Sequence, residues 1–339
     1  MREPGFWRHD GAIAALLSPL AAIYGGLAAR RMARSGARAG VPVICVGNFI
    51  VGGAGKTPTA IALAHMLIAE GGRPFFLTRG YGGRLSGPVR VEPGHRARDV
   101  GDEPLLLARA APTVVARDRV AGAARAVAAG ADVIVMDDGF QNPSLHKDFA
   151  LIVIDGEHAL GNGRIIPAGP LRAPLAAQLE RASALLVVGD AEAGAGEVAS
   201  AARARGRPVL RGFLAPDPAA VAALAGRKTL AFAGIARPQK FFATLESAGI
   251  VAVLTRAFPD HHRYSRAEAT ALAQEAAHEG LTLLTTEKDL ARIEGDADAA
   301  PLAEAAMALP VKLAFEDADA VRALLGGVPR GKCRTLAAT

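Results

Sequence analysis

Val43-Ile-Cys-Val-Gly47-Asn48-Phe-Ile-Val-Gly52-Gly53-Ala54-Gly55-Lys56-Thr57-Pro-Thr59 is the stretch on which the fold turns. Val43, Ile44, Cys45 and Val46 are uniformly apolar and mostly β-branched, the signature of a strand covered on both faces. From Thr57 the pattern becomes helical and runs to Glu70. Between strand and helix lies a glycine-rich loop. Phosphate oxygens need converging backbone N–H groups, a helix N-terminus and a cation, and this arrangement supplies all three. Asn48, Gly52, Gly53, Ala54 and Gly55 are expected to form the cradle, with Lys56 reaching the β- and γ-phosphates and Thr57 ligating Mg²⁺. The strict GxxxxGK[ST] pattern is not met, because Ile50 stands where its first glycine belongs.

A phosphate-bound metal also needs an acid at the end of a neighbouring strand. Val133-Ile-Val-Met136-Asp137-Asp138 provides two, where ligands bind in open parallel sheets. Either Asp137 or Asp138 would hold Mg²⁺, directly or through water.

Outward from this centre, β-branched runs alternate with Ala-rich helical stretches, the pattern of a parallel α/β sheet with crossover helices. Strands are expected at Val43–Val46, Pro74–Leu77, Thr113–Val115, Val133–Met136, Leu151–Ile154 and Leu185–Val188. Helices fit at Thr57–Glu70, Pro104–Ala110, Asp118–Ala129 and Leu175–Arg181. The Gly- and Arg-rich stretch from Thr78 to Gly101 is long for a connection and reads as a functional loop or irregular substructure. After the turn-rich Ala215-Pro-Asp-Pro218 the rhythm starts afresh, with a capping box at Ser265-x-x-Glu268 and a short helix at Glu287. The expected organisation is an N-terminal segment over 1–40, a core domain over 41–215 and a smaller α/β domain over 216–339. The strand Val311–Ala314 and the helix Ala318–Leu325 are expected to complete that smaller domain.

The composition is 51% hydrophobic and 21% charged over 339 residues, so the chain can bury a large core and is not disordered. A net charge of +6 favours anionic partners. No segment interleaves aromatic with basic residues as a nucleic-acid platform would, so no nucleic acid is expected. Cys45 and Cys333 form neither a disulfide framework nor a zinc pattern, which fits a reducing compartment. Gly11 to Ala29 carries no charge and is followed by Arg30, Arg31, Arg34 and Arg38. Pro19, Gly25 and Gly26 weaken it as a span, and it reads as lying in the interface of an anionic leaflet. A buried helix and a full span are the alternatives.

Two further groups carry chemistry. Asp99-Val-Gly-Asp102-Glu103-Pro104 sets acids at a helix start, and Phe258-Pro-Asp260-His261-His262 pairs histidines in a loop. A carboxylate oriented by an imidazole can accept the proton of an attacking hydroxyl. Alone, the histidine loop also fits a solvated turn, and the acidic group a helix start with favourable dipole charge.

Together these blocks resemble the tetraacyldisaccharide 4′-kinases. The resemblance runs in order over nearly the whole chain. It includes Thr78-Arg-Gly-Tyr-Gly-Gly83, Val100-Gly-Asp-Glu-Pro104, Met136-Asp-Asp-Gly-Phe-Gln-Asn142, Asn162-Gly-Arg, Pro167-Ala-Gly-Pro-Leu-Arg172, Phe258-Pro-Asp-His-His262 and Thr286-Glu-Lys-Asp289. It implies a P-loop kinase core with a smaller domain closing over ATP. The reaction implied is phosphorylation of the 4′-hydroxyl of a tetraacyldisaccharide 1-phosphate, in lipid A biosynthesis at the cytoplasmic face of the bacterial inner membrane.

Asp102 and His261 match the family's catalytic dyad, Asp102 as base and His261 orienting it. Thr57, Asp137 and Asp138 match metal and active-site positions. Glu287, Lys288 and Asp289 fall where the second domain meets the nucleotide, and Arg79, Tyr81, Asn162, Arg164 and Arg172 are candidates for gripping the sugar or its phosphate. No obligatory protein partner is implied. One departure stands out: the family reads Leu-Arg-Glu-Pro where this chain has Leu171-Arg172-Ala173-Pro174, so that carboxylate is absent or is supplied elsewhere, with Glu103 and Asp155 as candidates.

A partner-switching P-loop ATPase is the main rival, but Val51 occupies the place where its loop carries an extra Lys. A GTP switch fits less well, since Glu287-Lys288-Asp289-Leu290 lacks an Asp two places after the Lys.

Overall fold

A computed structural model describes residues 4–53, 55–190 and 194–328. The first strand, β1 (Val43–Gly47), is buried at every position and pairs in parallel with β5 (Val133–Asp137) on one side and β6 (Phe149–Asp155) on the other. Successive residues feed opposite faces: Cys45, Ile134 and Met136 pack into one apolar cluster, while Ile44, Val46, Val133 and Val135 pack into another. That two-sided burial is why these strands read as continuous apolar runs rather than alternating ones.

Around this centre stand β2 (Pro74–Thr78), β3 (Val89–Arg90), β4 (Thr113–Val115), β7 (Ala184–Val188), β8 (Val209–Pro216) and β13 (Val311–Phe315). The nine-stranded order is β13-β8-β7-β6-β1-β5-β2-β4-β3. The helices of this part are α1 (Ala12–Met32), α2 (Lys56–Ala69), α3 (Ala97–Val100), α4 (Asp102–Ala110), α5 (Arg119–Ala128), α6 (Leu175–Arg181) and α7 (Gly196–Arg203). The strand order reverses at β1, so the C-terminal ends of β1, β5 and β6 open one crevice, where Gly47, Asp137 and Asp155 emerge.

The second sheet is parallel, in the order β10-β9-β11-β12. It comprises β9 (Lys228–Ala233), β10 (Val251–Ala257), β11 (Thr282–Thr286) and β12 (Met307–Leu309). Its helices are α8 (Pro218–Leu224), α9 (Pro238–Ser247), α10 (Arg266–His278), α11 (Glu287–Ile293) and α12 (Ala300–Ala305). The capping box at Ser265 and Glu268 forms as the sequence predicts.

The structure departs from the expected boundary at the C-terminal end. β13 does not join the second sheet but runs antiparallel to β8, with Val311 opposite Pro216 and Phe315 opposite Gly212. The helix that follows, α13 (Ala318–Gly326), packs Val321 and Leu325 into the core cluster beside Leu63 and Leu186. The last strand and helix therefore belong to the large sheet, where they cover the edge that β8 would otherwise leave unpaired.

In α1 the small residues face inward. Ala14, Ala21 and Gly25 are buried with Met32, while Ile13, Leu16, Leu20, Ile23 and Leu27 are exposed. A Cβ on Gly25 would lie 2.7 Å from Ile165 Cδ1, so this glycine, a weakness in a membrane span, is what lets the helix approach the core.

The stretch 78–101 is irregular substructure that includes β3 and α3. It delivers Tyr81 against the start of α4: Gly101 has φ 96°, and a Cβ there would lie 2.5 Å from the Tyr81 carbonyl oxygen. A side chain at 101 would push this loop away from Asp102.

Candidate active site

The glycine loop, the end of β5, the 78–81 turn and the facing edge of the smaller domain line one cleft of about 1820 Å³. The start of the loop explains the missing glycine. Ile50 pairs with Leu171 in a β-bridge, Val51 N–H donates to the Pro170 carbonyl (2.9 Å) and Arg172 N–H donates to the Phe49 carbonyl (2.9 Å). Ile50 thus sits in a β-bridge without a positive φ, where an L-residue is at home. The turn begins at Gly52, with φ 128°, and closes at Gly55, with φ 85°, just before α2. Asn48 is fully buried and braces the turn, its Nδ2 donating to the Gly52 carbonyl at 3.0 Å. Lys56 Nζ donates to the same carbonyl at 3.1 Å, and Gly52, Gly53, Gly55, Lys56 and Thr57 line the cleft. Ala54 lies outside the described residues.

The Thr57 hydroxyl donates to Asp137 Oδ2 at 3.0 Å, while Asp137 Oδ1 is buried without a hydrogen-bond partner. Burial, reinforced by the charge of Asp138, pushes the Asp137 carboxyl up to about 6. A hydroxyl and an unsatisfied carboxylate oxygen beside a phosphate loop are the oxygen donor set that Mg²⁺ takes, so the residues present fit that ion. Asp138 follows with φ 53°, a left-handed conformation uncommon for a non-glycine residue. It meets Arg172 at 3.2 Å and Lys56 at 3.9 Å, and against the cost of burial these charges hold its carboxyl below the usual value.

Across the cleft, Asp102 and His261 come together although 159 residues apart: His261 Nδ1 lies 3.1 Å from Asp102 Oδ2. Asp102 starts α4 in the core domain, and His261 sits in the loop after β10, with φ 56°. Of the described non-glycine residues only Asp138, Ala159 and His261 have positive φ, and two of the three are at this site. The carboxylate is recessed, 3% exposed, and the imidazole stands in front of it on the cleft wall. Burial opposes ionisation of Asp102, yet the His261 hydrogen bond and the charges of Lys288 and Arg292 hold it far below the ordinary carboxylate range. Its neighbour Glu103 accepts an ion pair from Lys288 Nζ at 2.7 Å. Burial pushes Glu103 up to about 7, with Lys288 pulling it down and the Asp102 charge pushing it up.

The other expected contacts divide. Arg79, Tyr81, Arg172, Glu287 and Lys288 line the cleft, and the Tyr81 ring lies 5.1 Å from that of His261. Asp289 does not line it. Fully buried, it receives the Gly234 N–H at 3.0 Å, the Tyr264 hydroxyl at 3.1 Å and the Thr286 hydroxyl at 2.7 Å. Asn162 and Arg164 are also elsewhere. Asn162 Nδ2 donates to the carbonyls of Phe6 (3.2 Å) and Ala168 (3.0 Å), and Arg164 pairs with Asp10 at 2.6 Å and Ser18 at 2.5 Å. These two tie the N-terminal segment, Phe6 and Asp10 with Ser18 of α1, to the core instead of facing the cleft.

Of the two carboxylates considered as replacements at position 173, Glu103 is paired with Lys288, and Asp155 with Arg237 (2.8 Å) and Lys240 (2.5 Å). Ala173 itself is fully buried. The sequence reading missed Arg292, Arg119 and Arg237, since lone arginines carry no spacing signal. Arg119 is buried at the start of α5 and Arg237 lies just before α9, and both line the cleft.

A family model described as tetraacyldisaccharide-1-P 4′-kinase matches residues 13–328. The tetraacyldisaccharide 4′-kinase of Methylobacterium sp. (strain 4-46) is 59% identical, over 98% of this chain and 99% of its own length. That of Bradyrhizobium sp. (strain BTAi1 / ATCC BAA-1182) is 58% identical, over 96% and 94%. A crystal structure of LpxK from Aquifex aeolicus in complex with ATP superposes with a TM-score of 0.72 at 26% identity, covering 94% of this chain and 99% of that one. On a match that runs through both sheets and over nearly the whole chain, the chain belongs to the tetraacyldisaccharide 4′-kinase family of lipid A biosynthesis.

Proposed function

We propose that the chain transfers the γ-phosphoryl group of ATP in line to the 4′-hydroxyl of a tetraacyldisaccharide 1-phosphate, with the Asp102–His261 dyad taking up the hydroxyl proton. The observation that carries this is one cleft lined by both Lys56 and His261, one from each domain. Lys56 and the loop amides oppose the charge that builds on the phosphate oxygens. Thr57, Asp137 and Asp138 would hold Mg²⁺, which when bound supplies further charge neutralisation there. The imidazole fronts the cleft and the Asp102 carboxylate sits behind it, so ring and carboxylate share one proton-accepting site. Arg79, Tyr81 and Arg172 are placed to grip the anionic sugar. Burial of the reacting groups between two domains keeps water from competing with the sugar.

The acceptor carries acyl chains, and the cleft extends to Tyr24, Leu27, Ala28 and Met32 of α1, with Arg8 and Arg31 beside them. α1 is long and apolar enough to cross a membrane, yet its small-residue face is packed on the core. We place it in the interface plane with its outward leucines in the lipid and Arg30, Arg31, Arg34 and Arg38 at the anionic headgroups of the cytoplasmic leaflet.

The test is transfer of labelled γ-phosphate from ATP to detergent-dispersed tetraacyldisaccharide 1-phosphate by wild type and Lys56→Ala. Incorporation into lipid that the substitution abolishes is expected. Release of inorganic phosphate alone would favour a hydrolytic switch.

A further inference from the structure

Asp102 has a second partner from the smaller domain. Arg292, in the last turn of α11, is 7% exposed in its side chain, and its Nε and Nη2 donate to Asp102 Oδ2 at 3.2 and 2.5 Å. The same oxygen faces His261 Nδ1 at 3.1 Å, while Oδ1 accepts the Glu103 N–H at 3.1 Å. The far side of the guanidinium is fixed as well. Nη1 donates to Asp289 Oδ1 at 2.6 Å and to the carbonyls of Gly234 (3.2 Å) and His262 (3.3 Å). Asp289 is in turn held by Gly234, Tyr264 and Thr286. Among the described residues, the other hydrogen bonds of Arg292, to Gly234, His262 and Asp289, all lie within the smaller domain.

We propose that Arg292 is a positioning residue that completes the dyad when the domains meet, clamping the Asp102 carboxylate so that the oxygen it holds, Oδ2, stays on the His261 imidazole. This rests on the reading of Asp102 and His261 as the proton acceptor. Docking the domains does not need it, because Glu103–Lys288 and the exposed Arg109–Glu294 pair, at 2.6 Å, already bridge the same boundary. A buried ion pair is also a weak source of net stability, since an apolar pair of similar volume commonly does as well. What the guanidinium adds is location: two fixed donors on the oxygen that the imidazole uses. Without the smaller domain, Asp102 loses both partners together, so the acceptor exists only in the closed arrangement.

The groups facing Asp102 are Glu103 from its own helix, His261 with Asp260 beside it, and Lys288, Asp289 and Arg292 from α11. Among them Arg292 is the cation in direct contact with the carboxylate, and removing it raises the pH at which Asp102 protonates.

The experiment is steady-state phosphoryl transfer by the full-length enzyme for Arg292→Gln, Arg292→Lys and Asp102→Asn, across the acid limb of the pH profile, with thermal melting alongside. For Arg292→Gln we expect kcat to fall about 10²-fold with KM for ATP nearly unchanged, and the acid limb to move to higher pH. Arg292→Lys keeps the charge but not the fork, so its limb returns toward wild type while kcat recovers only in part. A wild-type rate in Arg292→Gln overturns the proposal. So does a loss in both variants that follows melting temperature with the limb unmoved. Should the Gln variant fail to fold, wild-type kcat in Arg292→Lys overturns it instead. Full activity in Asp102→Asn would sink the dyad reading itself, whereas its collapse beside an active Arg292→Gln would remove only the clamp.

Discussion

Lys288 Nζ of α11 lies 2.7 Å from Glu103 Oε1 of α4, next to the point where Arg292 and His261 meet Asp102. The surface that joins the two domains and the surface that would accept the sugar proton are therefore the same surface. On the proposed role of the dyad, catalytic competence and domain docking are coupled.

Asp137→Asn removes the buried carboxylate whose Oδ2 holds the Thr57 hydroxyl and whose Oδ1 has no hydrogen-bond partner. The Mg²⁺ concentration needed for half-maximal activity should rise by about tenfold or more, with acceptor KM little changed. Titrating Mg²⁺ against initial rate measures this. An unaltered requirement would place the metal elsewhere.

The outward face of α1 is expected to seat the enzyme on lipid. Leu16 is 80% exposed, so Leu16→Asp paired with Leu20→Asp should leave the melting temperature unchanged. Losing two buried leucines from the lipid interface, at about 1.5–3 kcal/mol each, should weaken vesicle binding by at least about tenfold. Co-flotation with anionic vesicles reads this directly, and undiminished flotation would contradict the placement.

Arg164→Ala separates anchoring from catalysis. The guanidinium joins Asp10 and Ser18 of the N-terminal region and does not line the cleft. Transfer to a short-chain soluble acceptor should stay near wild type, while transfer to vesicle-borne lipid should fall. Equal loss on both acceptors would return Arg164 to the list of direct substrate contacts.

Asp155 links the end of β6 to Arg237, just before α9, and to Lys240 within it, a further bridge between the domains. Despite burial, these cations hold its carboxyl below the ordinary value. The stabilisation is therefore complete above the unfolded-state value and is lost as pH falls through the depressed one. Asp155→Asn should cost about 1–2 kcal/mol near neutral pH. The gap in melting temperature from wild type should narrow once pH drops below about 4, and a gap independent of pH would refute the charge-based account.

Much of this was legible in the sequence because local chemistry wrote it there. The apolar run into Gly52–Lys56 is a strand, a turn and a helix start in consecutive residues, and Asp137 ends a strand as unmistakably. Sheet membership was not legible. Val311–Phe315 has the same β-branched composition as its neighbours, and only the unpaired edge of β8 decides which sheet receives it. The dyad could be paired only by resemblance, since a separation of 159 residues leaves no spacing signal. Asn162 and Arg164 show the converse: resemblance marks a position without saying what it touches, and here they brace the N-terminal segment. Arg292 had no signal beyond its i,i+3 relation to Asp289.

Asp102 and His261 are proposed to act as one proton-accepting unit. This joint role is tested most directly by single-turnover transfer at saturating ATP in Asp102→Asn, His261→Ala and the double variant, with ATP affinity measured separately by equilibrium binding. Each single substitution is expected to lower the rate by about 10²–10⁴-fold, with the double variant falling little further and ATP binding persisting in all three. Losses that multiply in the double variant, or ATP binding that disappears with Asp102, would contradict the joint role.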